Sequence, residues 1–215
     1  MIKNILAFTG ISALLLGMVY LGTSLNKKET LPFFKFDEEK MVIQKYASPL
    51  KDFHKVGYWS FTNQRGNVFN PDSLEGKIYV ADYFFIACPG ICKDMGIQMK
   101  RLYDDFKHQN DLIFISHTSK PDEDSIENLK EYADSKGVKD NRWIFLTGEK
   151  KELFRVARDN YFIINFDDPE DDFVHTEKFV LVDQNKYIRG YYDGTDSSSV
   201  NQLKRDINLL FNSAD

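Results

Sequence analysis

Cysteine is nearly absent from this chain: its 215 residues include two, Cys88 and Cys92, in the run Cys88-Pro89-Gly90-Ile91-Cys92. A bridge between them would close a loop too short to stabilise a fold much through chain entropy, which argues against a purely structural disulfide. Basic residues form no long run; 28 Lys and Arg against 33 Asp and Glu leave a net charge of −5. With no nucleic-acid-binding motif either, a nucleic-acid partner is not expected. Low-complexity tracts and internal repeats are missing too. What is there, 42% hydrophobic residues with 18 phenylalanines, suits one well-buried domain and a short appendage.

Charge of either sign is missing from Ile5 to Leu25, a stretch of 21 residues. About 20 apolar residues cross a bilayer core as a helix. The sequence therefore predicts a membrane anchor over 1–25, a charged, Pro32-containing linker over 26–45, and a folded domain over 46–215. Lys3 and the amino terminus precede the apolar stretch, which by the positive-inside tendency puts the domain on the extracytoplasmic (periplasmic) side, although Lys27 and Lys28 oppose that orientation. A cleaved signal peptide, cut near Gly22, Thr23 and Ser24, is the alternative, and it also exports the domain. No cysteine follows the segment, so lipid attachment there is excluded.

Within the domain, Val56 to Phe61 alternates as a strand and residues 63–67 form a hairpin-type turn. Lys77 to Ala87 is almost continuously apolar and aromatic, the pattern of a central strand covered on both faces, with Asp82 as its anomaly. A helix follows from Cys92 to His108, with Met95, Met99, Leu102 and Phe106 at helical spacing. Further strands are expected at 111–116, 143–146, 178–182 and 186–192, and helices at 121–136, 149–158 and 200–211. This alternation indicates an α/β layered domain. With a cysteine pair after the first central strand, a thioredoxin-like fold is expected: a central mixed sheet flanked by helices.

Cys92 falls in the first turn of a helix, where unpaired N–H groups and the helix dipole favour a thiolate. The pair has one residue more between its thiols than Cys-x-x-Cys. It can close a disulfide, exchange electrons, or hold a soft metal ion. Cu(I) takes thiolate and thioether ligands, and imidazole also suits copper. Two cysteines leave such a site short of a ligand, which makes the four histidines candidates. His175, in Asp172-Phe173-Val174-His175-Thr176 directly before an apolar strand, stands out, because in a thioredoxin-like domain that strand starts opposite the cysteine turn. His54 and His108 read as solvated surface residues, and His117 as an ordinary residue at the cysteine edge of the sheet, with a role in supporting the ligands or as an alternative ligand as the lesser reading. Met95 and Met99 read as core packing. Asp82 reads either as a buried proton acceptor near the thiols or as a hydrogen-bonded structural residue. The acidic run 167–172 lacks the glycine and ligand spacing of a calcium loop and reads as solvated.

From these residues the chain resembles the SCO/SenC family of copper-binding, thioredoxin-fold proteins that help assemble the copper centre of cytochrome c oxidase. The resemblance spans roughly residues 46–212. It rests on Phe61 to Gly66, the aromatic strand running into Cys88, Pro89 and Cys92, Met95, Ser116 with Pro121 and Asp122, the Trp143 to Gly148 segment, and Val174 and Thr176 around His175. It implies copper held by Cys88, Cys92 and His175, and a copper-containing oxidase subunit as acceptor. A copper donor, a thiol-reducing protein and a membrane anchor are implied with them. Departures are Lys93, where many members have a second proline, Val174, where mitochondrial-type members are acidic, and His117, where many have Val or Asp. On this reading the protein is a metallochaperone rather than a turnover enzyme. The competing readings are a thiol–disulfide oxidoreductase working through Cys88 and Cys92, and a copper or redox sensor.

Overall fold

A computed structural model describes residues 30–37, 40, 42–49, 51, 53–164 and 176–213. The expected membrane segment, His175 and the acidic run 167–172 lie outside the described residues. Among those described, no helix is long and apolar enough to cross a membrane.

The longest apolar runs become the centre of the sheet. β5 (Ile78–Phe84) and β6 (Leu112–Thr118) are buried along their whole length and pair in parallel, and β7 (Trp143–Thr147) adds in parallel to β6. On one side β3 (Phe61–Asn63) and β4 (Val68–Phe69) complete the edge; on the other, β8 (Lys178–Val182) and β9 (Ile188–Asp193) do so. The order is β4-β3-β7-β6-β5-β8-β9, with β3, β8 and β9 joined by antiparallel pairing. Both faces are covered, which is why the central strands read as continuous apolar runs.

Side chains alternate across the sheet, and the alternation sorts the core into two layers. Ile78, Val80 and Phe84 of β5 join Leu112 and Phe114 of β6 under helices α1 (Ile91–Asp105), α2 (Ile126–Ser135) and α4 (Ser197–Ser213). Met95, Met99 and Leu102 are fully buried in this layer. Tyr79, Ala81, Tyr83, Ile113 and Ile115 face the opposite layer, with Trp59, Phe61 and Leu153 of helix α3 (Lys150–Arg155). The helix expected over 149–158 instead ends at Arg155 and widens into a π-helical turn, Val156–Asn160.

Two expectations are corrected. Residues 56–60 are not a strand: Val56 N–H donates to Lys186 O at 2.9 Å, and the buried positions are Val56 and Trp59, three apart rather than alternating. The strand begins only at Phe61, and the 63–67 turn forms as expected, with Asn63 N–H on Asn67 O at 2.9 Å and Gly66 at φ +79°. The second correction concerns the linker over 26–45. Residues from Leu31 onward belong to the compact unit, and β1 (Phe33–Asp37) and β2 (Val42–Tyr46) form an antiparallel hairpin. Phe34 is buried edge-on to Tyr191, Phe33 packs against Tyr187, and Phe36 stacks on Phe162. Arg189 ties the approach down, with Nη2 on Leu31 O at 2.6 Å and Nε on Pro32 O at 3.0 Å. The charges and Pro32 suggested a stalk; three phenylalanines among four residues made it a packed element.

Candidate functional site

β5 delivers the chain to the cysteine turn. After Phe84 the backbone leaves the sheet, and Phe85 C=O accepts a bond from Cys88 N–H at 3.3 Å. Gly90 then precedes α1 in a conformation with φ −118° and ψ −122°, and it has no side chain to cap the helix. Ile91 and Cys92 are the first two residues of α1, so the second thiol sits where the first-turn N–H groups lack helical partners. Cys88 is half-buried, Cys92 is buried, and both are free thiols.

The two sulfurs are chemically unequal. Burial is the largest influence on Cys88 and by itself would raise its pKa. The Cys92 side chain, the backbone N–H groups of Cys92 and Gly90, and the Lys120 charge together outweigh it and hold Cys88 below the ordinary thiol range. Burial pushes Cys92 up to about 12, reinforced by its hydrogen bond to Cys88 and the charges of Cys88 and Asp82, against the Phe85 backbone. One thiol is primed to be a thiolate, and its neighbour keeps a proton to donate to it.

Asp82 lies on the same sheet face as Cys92. Alternation along β5 places it with Val80 and Phe84, and its partner in β6 is Ser116. It is buried, its Oδ1 has no hydrogen bond, and burial raises its pKa to about 7 despite a bond from Ser116, which itself accepts from Trp143 Nε1 at 3.0 Å. Asp82 thus has the hydrogen-bond partner of the structural reading, Ser116, and its charge also raises the Cys92 pKa.

The histidines separate clearly. His117 is completely buried but faces the other way, among Tyr83 (stacked, 4.9 Å between centroids), Trp59, Phe61 and Tyr161. Neither ring nitrogen has a partner, and burial alone depresses its pKa to about 3. One residue of alternation separates it from Ser116, so the sheet lies between its ring and the thiols, and a ligand role is removed. His54 is not the solvated residue expected: it is half-buried, bonded to Asn160 O at 2.9 Å and packed on Phe162. His108 is exposed, as expected. Among the described residues, no third His, Cys, Asp or Glu joins the thiols in a metal-holding group. β8 runs antiparallel to β5, with Val180 beside Ala81 and Val182 beside Tyr79, so the chain enters β8 next to the end of β5 that leads to Cys88.

Sequence reading missed the segment after β6. Ser119, Lys120 and Asp124 reach back to the residues just before Cys88. The sequence places Asp124 only near the start of the helix expected over 121–136, whereas the helix begins at Ile126, after Asp124. No local signal distinguishes it from Asp122 or Glu123, because its role depends on a contact 38 residues away in sequence.

A family model described as SCO1/SenC matches residues 47–210. The chain belongs to the SCO1/SenC family. A SCO1 protein homolog of Bacillus subtilis is 28% identical over 167 residues, covering 76% of this chain and 86% of that protein. The crystal structure of a SCO1/SenC family lipoprotein from Bacillus anthracis superposes with a TM-score of 0.66 at 29% identity, covering 76% of this chain and 98% of that one. BsSco, described as a member of the Sco family of cytochrome c oxidase assembly proteins with a disulfide switch, gives 0.62 at 28%, covering 72% and 92%. Yeast Sco1 with copper bound gives 0.56 at 22%, covering 72% and 89%, a likeness that speaks for the fold.

Proposed function

We propose that this SCO1/SenC protein is a membrane-anchored copper chaperone with a thioredoxin-like domain, which carries copper as cargo and assists assembly of the copper centre of cytochrome c oxidase. The observation that carries the reading is the pair of free, unequal thiols at the junction of a central strand and a helix. Thiolates are soft donors that suit Cu(I). Cys88, already biased toward the thiolate, supplies the first sulfur. Cys92 must lose its proton to supply the second, so loading releases protons and strengthens as pH rises. His175 is the third ligand in this reading. Its support is the antiparallel run of β8 beside β5, with Thr176 just ahead of β8. Release to an oxidase subunit proceeds by ligand exchange, and the thiols must first be reduced by a partner protein. The apolar 5–25 segment anchors the chain, with the domain on the extracytoplasmic side.

The test is Cu(I) titration of the reduced full-length chain in detergent, with wild type beside His175→Ala and Cys88→Ser. Stoichiometric binding by wild type, weakened at least about tenfold by either substitution, is expected, since losing even an outer-shell partner of a metal ligand costs about that much. Absence of binding, or binding indifferent to His175→Ala, overturns the reading.

The unequal thiols favour one alternative, a thiol–disulfide oxidoreductase in which Cys88 attacks and Cys92 resolves. That activity would vanish in Cys88→Ser and persist in His175→Ala.

A further inference from the structure

Three successive residues of the chain entering the cysteine turn are each gripped by the segment that follows β6. Phe84 C=O accepts from Ser119 twice, from its N–H at 2.8 Å and its Oγ at 3.0 Å. The Phe85 ring lies beneath Lys120 Nζ, 4.7 Å from its centroid. Ile86 N–H faces the Asp124 carboxylate, 3.4 Å from either oxygen. Asp124 is itself held: it is buried, its Oδ2 accepts a short bond from Thr118 Oγ1, and its N–H donates to Lys120 O at 2.9 Å. The gripped residues in turn touch both cysteines. Phe85 C=O accepts from Cys88 N–H, and Phe85 N–H is directed at the Cys92 sulfur.

We propose that Asp124 is a positioning residue for the dithiol: by bridging Thr118 to Ile86 N–H it sets the separation and aim of the Cys88 and Cys92 sulfurs. Only one residue, Ala87, separates Ile86 from Cys88, and the strand before them is fixed in the sheet. A shift at Ile86 therefore reaches the sulfur rather than dissipating along a loop. Sites of this kind lose function at displacements of about 0.5 Å. Truncating Asp124 leaves Ile86 N–H and the Thr118 O–H without their acceptor, while Thr118 Oγ1 still accepts from Lys120 N–H at 3.0 Å, and the two donors regain a partner only by moving toward water. The disulfide, which demands a close and specific approach of the sulfurs, is the state that loses most.

The measurement needs no copper and so stands apart from the chaperone reading, on which only the consequence for metal affinity rests. Full-length chain is equilibrated with dithiothreitol buffers, Cys88 and Cys92 giving two electrons and two protons to oxidised dithiothreitol as their disulfide forms. The oxidised fraction is read by alkylation and mass. Asp124→Ala is expected to lower the equilibrium constant for disulfide formation about tenfold, which is about 30 mV for a two-electron couple. Asp124→Asn, which keeps an acceptor oxygen, should recover most of that shift. Thr118→Val should move the constant in the same direction and serves where Asp124→Ala does not fold. Asp206→Ala is the structural control. It removes a buried carboxylate that accepts from Tyr192 Oη at 2.7 Å in the α4 layer, so it should lower the melting temperature and leave the constant unchanged. The proposal is overturned if Asp124→Ala, or in its place Thr118→Val, leaves the constant within twofold of wild type, or if Asp206→Ala shifts it equally. A wild type that fails to bind copper would overturn the chaperone reading alone.

Discussion

At the scale of residues, the chemistry lies in how differently neighbouring groups are treated. Cys88 and Cys92 share one turn, yet one is held below the ordinary thiol range and the other is pushed up to about 12. At pH 7 iodoacetamide should therefore modify Cys88 first and Cys92 only on unfolding; peptide mass mapping at short times checks the order. His117 offers a test of the opposite layer. Its folded pKa of about 3 lies below the ordinary imidazole value of 6.5, so the neutral ring's contribution is fully present above about pH 6.5 and is lost as pH falls toward 3. Up to about 1.4 kcal/mol per pH unit is lost through His117 across that window. Asp82, raised to about 7, contributes with the opposite sign, so the His117 part is read as the difference in urea-unfolding free energy between wild type and His117→Phe. His117→Phe should remove that slope, and near pH 7 it should be neutral or stabilising by about 1 kcal/mol, since no hydrogen bond of the ring is lost. A wild-type-minus-variant difference that stays flat with pH would overturn the assignment to His117.

At the scale of elements, strand alternation decides which side chains meet the thiols. Asp82 and Ser116 fall on the α1 face of β5 and β6, and Tyr83 and His117 fall on the other. Shifting either strand by one residue would exchange the sets, and because both faces are covered the two strands are apolar except at Asp82 in β5 and at Ser116, His117 and Thr118 in β6. The β1–β2 hairpin depends on Arg189, which bonds Leu31 O and Pro32 O, pairs with Asp183 at 2.8 Å, and lies over the Phe33 ring. Arg189→Ala should free the hairpin: limited proteolysis is expected to cut within 31–46 well before the sheet, where wild type resists. In α1, Met99 is fully buried beneath the sheet. Met99→Ala should cost about 2–5 kcal/mol by urea unfolding, a cavity effect that leaves Cys88 alkylation unchanged.

At the scale of the whole molecule, the dithiol sits where the central strand hands over to the helix of one core layer, outside the antiparallel edge strands. A Cys88–Cys92 disulfide would constrain so few residues that oxidised and reduced chains should differ by no more than about 2 kcal/mol in urea unfolding. A larger gap would mean that thiol state acts through global stability rather than locally at the turn. Much of this arrangement was legible along the chain, because apolar runs and alternation are local consequences of burial: the central strands, α1 with its buried methionines, and the cysteine turn all follow from them. The hairpin was not, because Phe33, Phe34 and Phe36 reveal a packed element only when Tyr187, Tyr191 and Phe162 are brought against them. The same holds for the site. Residue types and spacing by themselves determined an α/β domain with two tunable thiols at a strand-to-helix turn. Only the tertiary structure decided that His117 faces away from them, that Asp82 lies on their side, that the Cys88 and Cys92 pKa values shift in opposite directions, and that Asp124 braces their turn. Burial and strand-to-strand contact set those properties, and both arise between residues far apart in the sequence.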